Sequence, residues 1–554
     1  MRGSSSAAAA AAVVLAFMVC FAGARELKAW KSARLDGRAI VIHQDLKNGT
    51  SGRIVSLVTS KQKRVLLSAS SLSPALLESL TTGVPISVGG SWDDITSSAL
   101  SSVQGLLGLL GTSLDSLLDQ LNFTPRLLVD DLTAQLPPQA APIVEAVAQD
   151  GPLRKLLADP PPDPLLVALP LATAAVKTLV IPIGGVTSTS FGGNIVSGAS
   201  ACSGVAMPSL NPTMVRRTVF EEFTPDSPTV GSTFRECSMN RTLLNQDTSY
   251  VAQTVYTKCN GVSWGVPWKY STCTFDDYNG IADEVDRILR DERNLNISQY
   301  TYKVYLMPSG PCGFVGMGMI GCDGSVFDCR IWIAGDWWGN AQVYVHELSH
   351  NLYLAHAGSY NSAGTFDEYG DWTCYMGYAS ASNNANRCAN LPHSYQLGWS
   401  SIMQLDATSL PKGYTYTAYV ASNSVFRRAG LRIMAGTWVS GQDPIYIGYR
   451  TAANGDVQLP SSLANKVHIY TSASTGNKDP KMSVLRSTLL LNDVWSLPTA
   501  GLYIKRIANF SPNQAMVAIC RKWGAENATS CAAGVDNDCN FKAGVDDPAC
   551  AAFP

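Results

Sequence analysis

Apolar and polar residues alternate in short segments near the start of the chain, as they do in half-buried strands. The clearest segments are 38–43, 53–59 and 64–67, and they predict a small β-rich module over 25–90. Between 92 and 150 the period changes, and the recurring leucines of 106–121 predict a helical packing face. The tract Asp-Pro-Pro-Pro-Asp-Pro at 159–164 then interrupts regular structure and predicts a boundary.

A mixed order of elements follows this tract. Apolar runs predict strands at 177–183, 301–306 and 331–334, and helical periodicity predicts helices at 280–294 and 341–352. After about 405 the pattern becomes short strands separated by Gly, Asn and Pro, for example 414–420, 444–450 and 466–471. We therefore expect an α+β domain with a mixed, twisted, mostly parallel sheet over 177–404, and a β-sandwich-like region over 405–519.

Composition narrows the class of protein. The chain has 554 residues, 46% of them hydrophobic, and a formal net charge of −2, which fits a globular protein of two to four domains. Lys and Arg are scattered, so neither nucleic acid nor an anionic membrane is indicated as a partner. The sequence leaves the oligomeric state open.

The first residues predict secretion. Arg2 precedes an apolar run over 7–22 and the small residues Ala22-Gly23-Ala24, a pattern typical of a signal peptide that is cleaved after Ala24. The other apolar stretch, 164–186, is interrupted by Pro and Lys, so we expect no transmembrane helix. Thirteen of the 14 cysteines remain after cleavage, all at or beyond Cys202, and predict disulfides with one cysteine left over. Six N-x-[ST] sequons fit a secreted glycoprotein.

The sequence contains a metal-binding motif, His346-Glu347-Leu348-Ser349-His350, which is followed by His356. On a helix over 341–352 the first two histidines face the same side, one turn apart, and can share a metal ion. A third imidazole from His356 would leave one position of a tetrahedral site open, which is typical of catalytic Zn²⁺. Glu347 is then placed to take a proton from the attacking water and to return it to the leaving amine.

The spacing of His356 matches the longer metzincin pattern H-E-x-x-H-x-x-G-x-x-H, so we expect a metzincin-like catalytic domain. Met376, within 374–378, is the candidate Met-turn residue that would lie beneath the metal. Tyr378 either directs its phenol towards the metal or the oxyanion, or is a packed aromatic. Tyr353 replaces the Gly of the pattern; either the turn differs locally, or a bulky residue at positive φ is tolerated there.

Several runs around these residues resemble the gametolysin family of metallopeptidases from volvocine green algae. They are VYVHELSHNL at 343–352, LAHAG at 354–358, EYGD at 368–371 and YQLGW at 395–399. The resemblance implies a secreted zinc endopeptidase whose substrates are hydroxyproline-rich glycoproteins of a cell wall or extracellular matrix. The alternative is an inactive structural or adhesive wall glycoprotein that keeps the fold, with Tyr353 as the feature that favours it.

These observations predict five segments: a signal peptide (1–24), a propeptide-like region (25–176), a zinc metallopeptidase domain (177–404), a β-rich domain (405–519) and a Cys-rich tail (520–554). No cysteine occurs between 25 and 201, so a thiolate from this region cannot block the metal. Unless Cys202 serves, the block comes from a carboxylate such as Asp130 or Asp131, from steric cover by the leucine-rich segment, or there is none. We expect a steric or carboxylate block that is released by cleavage between about 160 and 178.

The tail offers two interpretations. Asp536, Asp538 and Asn540 have the alternate spacing of the first ligands of a calcium loop. Phe541, however, stands where such a loop requires Gly. The four cysteines from Cys520 onward therefore favour a disulfide-stapled tail over a calcium site.

Overall fold

The computed structural model of this chain describes residues 33–60, 64–68, 74–92, 126–134, 143–145, 164–208, 210–220, 227–310, 312–377 and 387–553. The predicted signal peptide, the leucine-rich helix and the proline tract, apart from Pro164, lie outside the described residues. Tyr378 also lies outside them, so its role stays a prediction.

The described strands, in chain order, are β1 Ala33–Leu46, β2 Ser51–Thr59, β3 Arg64–Ser68, β4 Pro85–Trp92, β5 Arg126–Ala134, β6 Ile143–Glu145, β7 Leu165–Ala168, β8 Thr178–Gly185, β9 Thr189–Ser190, β10 Asn194–Ile195, β11 Tyr250–Val251, β12 Val255–Thr257, β13 Asn260–Ser263, β14 Val266–Lys269, β15 Tyr302–Leu306, β16 Phe314–Met319, β17 Cys329–Ile333, β18 Ala357–Tyr360, β19 Phe366–Asp367, β20 Ser401–Leu405, β21 Tyr414–Ala421, β22 Arg428–Ile433, β23 Ile445–Arg450, β24 Lys466–Ser472, β25 Ser483–Leu489, β26 Val494–Leu497, β27 Leu502–Ser511 and β28 Gln514–Arg521. The α-helices are α1 Pro74–Ser79, α2 Pro212–Phe220, α3 Val230–Cys237, α4 Phe275–Arg287, α5 Ala341–Asn351, α6 Leu391–Gln396 and α7 Ala528–Ala533.

The chain forms two compact units. The first consists of Met1–Pro137, Lys177–Val215 and Ser249–Gly339, and the second of Pro138–Val176, Arg216–Thr248 and Asn340–Pro554. Both combine strands and helices, so the expected mixed α/β character is confirmed. No helix within the described ranges has the length and apolar character needed to cross a membrane.

A parallel sheet forms one half of the first unit. Strands β11, β8, β15 and β17 run parallel, and β16 adds an antiparallel strand beside β17. Apolar side chains of β8, including Ile181, belong to the same buried cluster as Tyr278, Ile281 and Val285 of α4. The strands predicted at 177–183, 301–306 and 331–334 are therefore confirmed as β8, β15 and β17.

Helix α4 begins five residues earlier than the predicted start of 280. Thr274 and Asp277 form a capping box, in which Asp277 N–H donates to Thr274 Oγ1 and Thr274 N–H donates to Asp277 Oδ2. Such a box satisfies two backbone donors at a helix start. Gly280 lies inside the helix because the Trp268 ring occupies the space that a Cβ would fill. A single turn of π-helix, Ile288–Glu292, completes the predicted segment.

The other half of the first unit is a closed ring of five strands. Their order is β1-β2-β3-β5-β4, and β4 pairs back onto β1. Only β3 and β5 are parallel, and α1 lies between β3 and β4 in sequence, which is the strand order of an OB-fold barrel. The second half of β1 lies beyond its pairing with β4 but stays paired with β2. On its other side it pairs antiparallel with β16, where Ile42 faces Met319 and Leu46 faces Phe314.

The second unit contains two sheets. The larger has the order β19-β18-β25-β24-β23-β22-β20-β7-β6, and the smaller has the order β21-β28-β27-β26. One buried cluster takes residues from both sheets, among them Ile447 and Ile469 of the larger and Ile504 and Val517 of the smaller. The strands predicted at 414–420, 444–450 and 466–471 are confirmed as β21, β23 and β24.

Disulfides occur in both units, and each joins cysteines of the same unit. The six pairs are Cys202–Cys259, Cys237–Cys388, Cys273–Cys312, Cys322–Cys329, Cys520–Cys539 and Cys531–Cys550. Among the cysteines that the structure describes, Cys374 is the one outside a disulfide, and it is buried. The expectation of disulfides with one cysteine left over is confirmed.

Candidate metal centre

Helix α5 carries the first two histidines. It starts at an Asn340 cap, whose side chain accepts a hydrogen bond from Gln342 N–H at 3.0 Å, the favoured arrangement for the first turn of a helix. Every residue of α5 is buried, as expected of a helix inside a core rather than on a surface. His346, Glu347 and His350 are therefore held in a site with little exposure to water.

The chain leaves α5 through a tight turn at Tyr353. The Tyr353 N–H donates to His350 O and the Leu354 N–H donates to Ser349 O, both at 3.0 Å, which is the Schellman pattern of helix ends. Tyr353 has φ +68°, so this aromatic residue takes the left-handed conformation that normally favours Gly. Of the two alternatives for this turn, the structure has the tolerated positive φ, and the turn leads the chain to His356.

The three histidine rings form a nearly equilateral triangle. Ring centroids are 4.9 Å apart for His346 and His350, 5.2 Å for His346 and His356, and 5.1 Å for His350 and His356. One ring nitrogen from each lies within 4.8 Å of the others. Imidazole nitrogens in such an arrangement suit a tetrahedral ion with one further position.

The outer nitrogen of each ring faces an oxygen that can only accept a hydrogen bond. His346 Nδ1 lies 2.9 Å from the Tyr375 carbonyl oxygen, His350 Nδ1 lies 2.9 Å from the Leu354 carbonyl oxygen, and His356 Nδ1 lies 2.7 Å from Glu368 Oε1. Each Nδ1 is therefore the protonated donor, which leaves the lone pair on Nε2. Partners of this kind orient ring ligands in metal sites, so the residues present fit a bound metal ion.

Residues 374–377 of the predicted Met-turn are buried and are joined to the segment of the third histidine. Met376 O accepts a hydrogen bond from Ala357 N–H at 3.0 Å, and Ala357 follows His356 directly. The turn is closed by a hydrogen bond of 2.9 Å from Gly377 N–H to Cys374 O. A Cβ on residue 377 would collide with the Asp371 carbonyl oxygen, so the position requires Gly. The chain segment after the histidines is thus tied back to the segment that carries His356.

Two polar residues of this region, Asp371 and His393, are fully buried. Asp371 accepts hydrogen bonds from Thr373 N–H, Thr373 Oγ1 and Asn390 Nδ2, and burial raises its pKa. Burial, assisted by the charges of His356 and His346, lowers the pKa of His393 to about 3, so this ring is neutral. Burial likewise raises the pKa of the Cys374 thiol to about 12.

Glu368 and Tyr369 were not assigned roles from the sequence. Glu368 contacts His356 as described, and the Tyr369 ring centroid lies 4.2 Å from that of His356. Both residues lie in the EYGD run, directly after the short strand β19. The signal available was the presence of a carboxylate near the third histidine, but only the hairpin of β18 and β19 brings it back beside the ring.

Comparison with known proteins places this site in a family. The family model described as gametolysin peptidase M11 matches residues 194–496, more than half of the chain. A protein named Autolysin from Chlamydomonas reinhardtii is 26% identical over 293 residues, covering 45% of this chain and 44% of that relative, so the match spans less than half of the relative's length. No solved structure matches the chain. The matched range includes the helix with His346 and the loop with His356. Because the family model matches more than half of the chain, the chain belongs to the gametolysin family of peptidases, M11.

Proposed function

We propose that this chain is a secreted zinc metalloendopeptidase in which His346, His350 and His356 hold the metal and Glu347 is the general base. The observation that carries the proposal is the triangle of imidazoles, each fixed through Nδ1 by a carbonyl or carboxylate oxygen. Membership of a peptidase family supports hydrolysis of peptide bonds. Neutral imidazoles around a buried site support zinc over Mg²⁺ or Ca²⁺, which prefer oxygen ligands.

A zinc ion held by these three histidines would supply Lewis-acid chemistry, lowering the pKa of a water towards ~7 and polarising a carbonyl group. The protein supplies the remaining parts. Glu347 follows His346 directly on α5 and is buried, so its carboxylate takes the proton of the attacking water and delivers it to the leaving amine. The Schellman turn at Tyr353 and the contact between Glu368 and His356 hold the third ring in place, which limits the reorganisation needed during the reaction. Tyr378 remains the proposed source of a phenol for the oxyanion.

The proposed substrates are glycoproteins of a cell wall or extracellular matrix. The similarity to a protein named Autolysin supports action on a wall, and the six disulfides support an oxidising, extracellular location. The predicted signal peptide agrees with this location. A hydroxyproline-rich wall glycoprotein is therefore the substrate to test beside a general substrate such as casein.

The decisive experiment compares metal content and hydrolysis in Glu347→Gln, His356→Ala and Asp443→Asn. Glu347→Gln should retain about one zinc per chain and lose at least about 10²-fold in turnover, because only the base is removed. His356→Ala should lose zinc and activity together, because a ligand is removed. Asp443 is exposed, and its conversion to Asn is the control for an acid-to-amide change outside the site.

Two results would contradict the proposal. Loss of zinc in Glu347→Gln would make this residue a ligand rather than the base. A wild-type protein that is loaded with zinc yet cleaves neither casein nor wall glycoprotein would instead support the alternative of a structural or adhesive wall protein.

A further inference from the structure

The C-terminal tail contains a second cluster of metal-ligating groups. Glu526, Asp536, Asp538 and Asp547 each offer a carboxylate oxygen, and these oxygens all lie within 4.8 Å of one another. Three of the four side chains are buried: Glu526 is 8% exposed, Asp536 6% and Asp547 2%. Ionised carboxylates this close repel one another, and a cation among them would offset that repulsion. Within the described part of the chain, no Lys or Arg forms an ion pair with any of the four.

The hydrogen bonds of Asp547 point to a cation independently of the short distances between the carboxylates. Its Oδ1 accepts hydrogen bonds from Asn540 Nδ2 at 3.0 Å and from Ala549 N–H at 2.8 Å. Its Oδ2 is buried and has no hydrogen-bond partner among the described residues. A buried carboxylate oxygen left in this state is costly. Because Asp547 belongs to the cluster, a cation among these oxygens supplies the missing partner.

The spacing of these residues is that of a twelve-residue calcium loop. When Asp536 is position 1, Asp538 is position 3, Asn540 is position 5 and Asp547 is position 12, the positions whose side chains bind Ca²⁺ in such loops. Position 7, Lys542, would contribute only its backbone carbonyl. The sequence pattern alone did not favour this site, because Phe541 occupies position 6.

Phe541 removes that objection by its conformation. Its φ is +63°, so it makes the left-handed turn for which position 6 normally uses Gly. Phe541 N–H donates to Asp536 Oδ2 at 2.9 Å, and the Lys505 ammonium lies 5.5 Å from the centre of the Phe541 ring. The disulfide Cys520–Cys539 anchors the loop two residues before Phe541. The left-handed turn that the calcium loop requires at position 6 is therefore present.

The donor atoms select the kind of metal. All the proposed ligand atoms are oxygens, which suit a hard cation. Cys531 and Cys550 lie close to Glu526, but they are joined in a disulfide and offer no thiolate. Glu526 adds a carboxylate from outside the loop. A set of six or more oxygens suits Ca²⁺ better than Mg²⁺, which requires near-ideal octahedral geometry.

We propose that the tail binds one Ca²⁺ ion through Asp536, Asp538, Asn540 and Asp547, with Glu526 as an additional carboxylate ligand. The site is separate in sequence from the histidine centre and needs no peptidase activity. Calcium would neutralise the buried carboxylates and, together with Cys520–Cys539 and Cys531–Cys550, fix the tail. Since secreted proteins meet millimolar calcium, an affinity in the range of extracellular modules, about 10⁻⁴–10⁻³ M, would be sufficient for occupancy.

The test is calorimetric titration of the full secreted chain with CaCl₂, after removal of calcium and restoration of zinc. Wild type and Asp546→Asn should bind one ion with equal affinity. Asp546 adjoins Asp547 in the same loop but is exposed, so its variant is the matched control for the charge change. Asp547→Asn should bind at least about tenfold more weakly. Asp538→Asn, at a half-buried position, should show the same loss and replaces Asp547→Asn if that variant does not fold.

A second readout is the melting temperature, which calcium should raise in wild type and in Asp546→Asn but not in Asp547→Asn. Absence of saturable binding by wild type would overturn the proposal. Equal calcium affinity in Asp547→Asn and Asp546→Asn would also overturn it. Displacement of bound calcium by an equal concentration of Mg²⁺ would overturn the assignment to Ca²⁺.

Discussion

Replacement of Glu368 by Ala should weaken zinc binding without removing a proposed ligand. The Glu368 carboxylate lies 2.7 Å from His356 Nδ1, and the His356 side chain is fully buried, whereas that of Glu368 is 33% exposed. Outer partners of metal-bound histidines typically contribute 10–100-fold to metal affinity. Because Glu368 is partly solvated, we expect the lower part of this range, about 10–30-fold, which corresponds to about 1.4–2 kcal/mol.

The assay is competition for zinc against a chromophoric chelator of known affinity. Glu368→Gln keeps an acceptor oxygen but loses the charge, so its effect should fall between wild type and Glu368→Ala. Asp367→Asn is the matched control, since Asp367 is exposed and accepts a hydrogen bond from Tyr369 N–H through an oxygen that Asn retains. Zinc affinity in Glu368→Ala equal to that of Asp367→Asn would refute the idea that this carboxylate orients His356.

Three further predictions concern the turn, the Met-turn and maturation. Tyr353→Gly should be more stable than Tyr353→Ala by about 1 kcal/mol in urea unfolding, because both lose the ring and only Gly adopts φ +68° freely; equal stabilities would mean that the turn relaxes. Met376→Leu should keep peptide hydrolysis within about tenfold of wild type, because volume-conserving core changes cost less than ~1.5 kcal/mol, and a larger loss would give the thioether a role beyond packing. N-terminal sequencing of the active protein should find a start between about 160 and 165. A cut further on would remove β7, which is paired with β20 and in which Val167 and Ala168 are buried. A start at 218, after Arg216-Arg217, would contradict this.

The sequence predicted the regular elements where periodicity was strong. The strands at 177–183, 301–306 and 466–471 and the helix at 341–352 all occur, with ends displaced by a few residues at most. The start of α4 was missed because the capping box of Thr274 and Asp277 precedes the apolar pattern on which the prediction relied. Hydrophobic periodicity also does not predict which distant segments pair as strands. Nothing in the alternation of 38–43 indicates that β1 joins β16, about 270 residues later.

The spacing of the histidines along the chain was enough to predict that their rings converge. It was not enough to predict which groups surround the rings. The motif predicted that His346, His350 and His356 converge, and their rings do lie about 5 Å apart. The role of Glu368 depends on a hairpin register that the sequence does not specify. The sequence also did not predict the backbone conformation of two residues. Tyr353 and Phe541 both adopt positive φ where propensity argues for Gly. Hydrogen bonds hold the turn at Tyr353, and a hydrogen bond to Asp536 and the disulfide Cys520–Cys539 hold the turn at Phe541.

The double role of β1 bears on the predicted removal of the N-terminal region. This strand belongs to the closed ring of β1 to β5. It also pairs with the outer side of β16 over Ile42–Leu46. If cleavage near 160 is followed by departure of the N-terminal residues, the backbone N–H and C=O groups of Phe314–Met319 become an open strand edge. Open edges readily accept another extended chain. Maturation would then convert an internal strand into a docking edge, whereas a barrel that stays bound after cleavage would keep that edge closed.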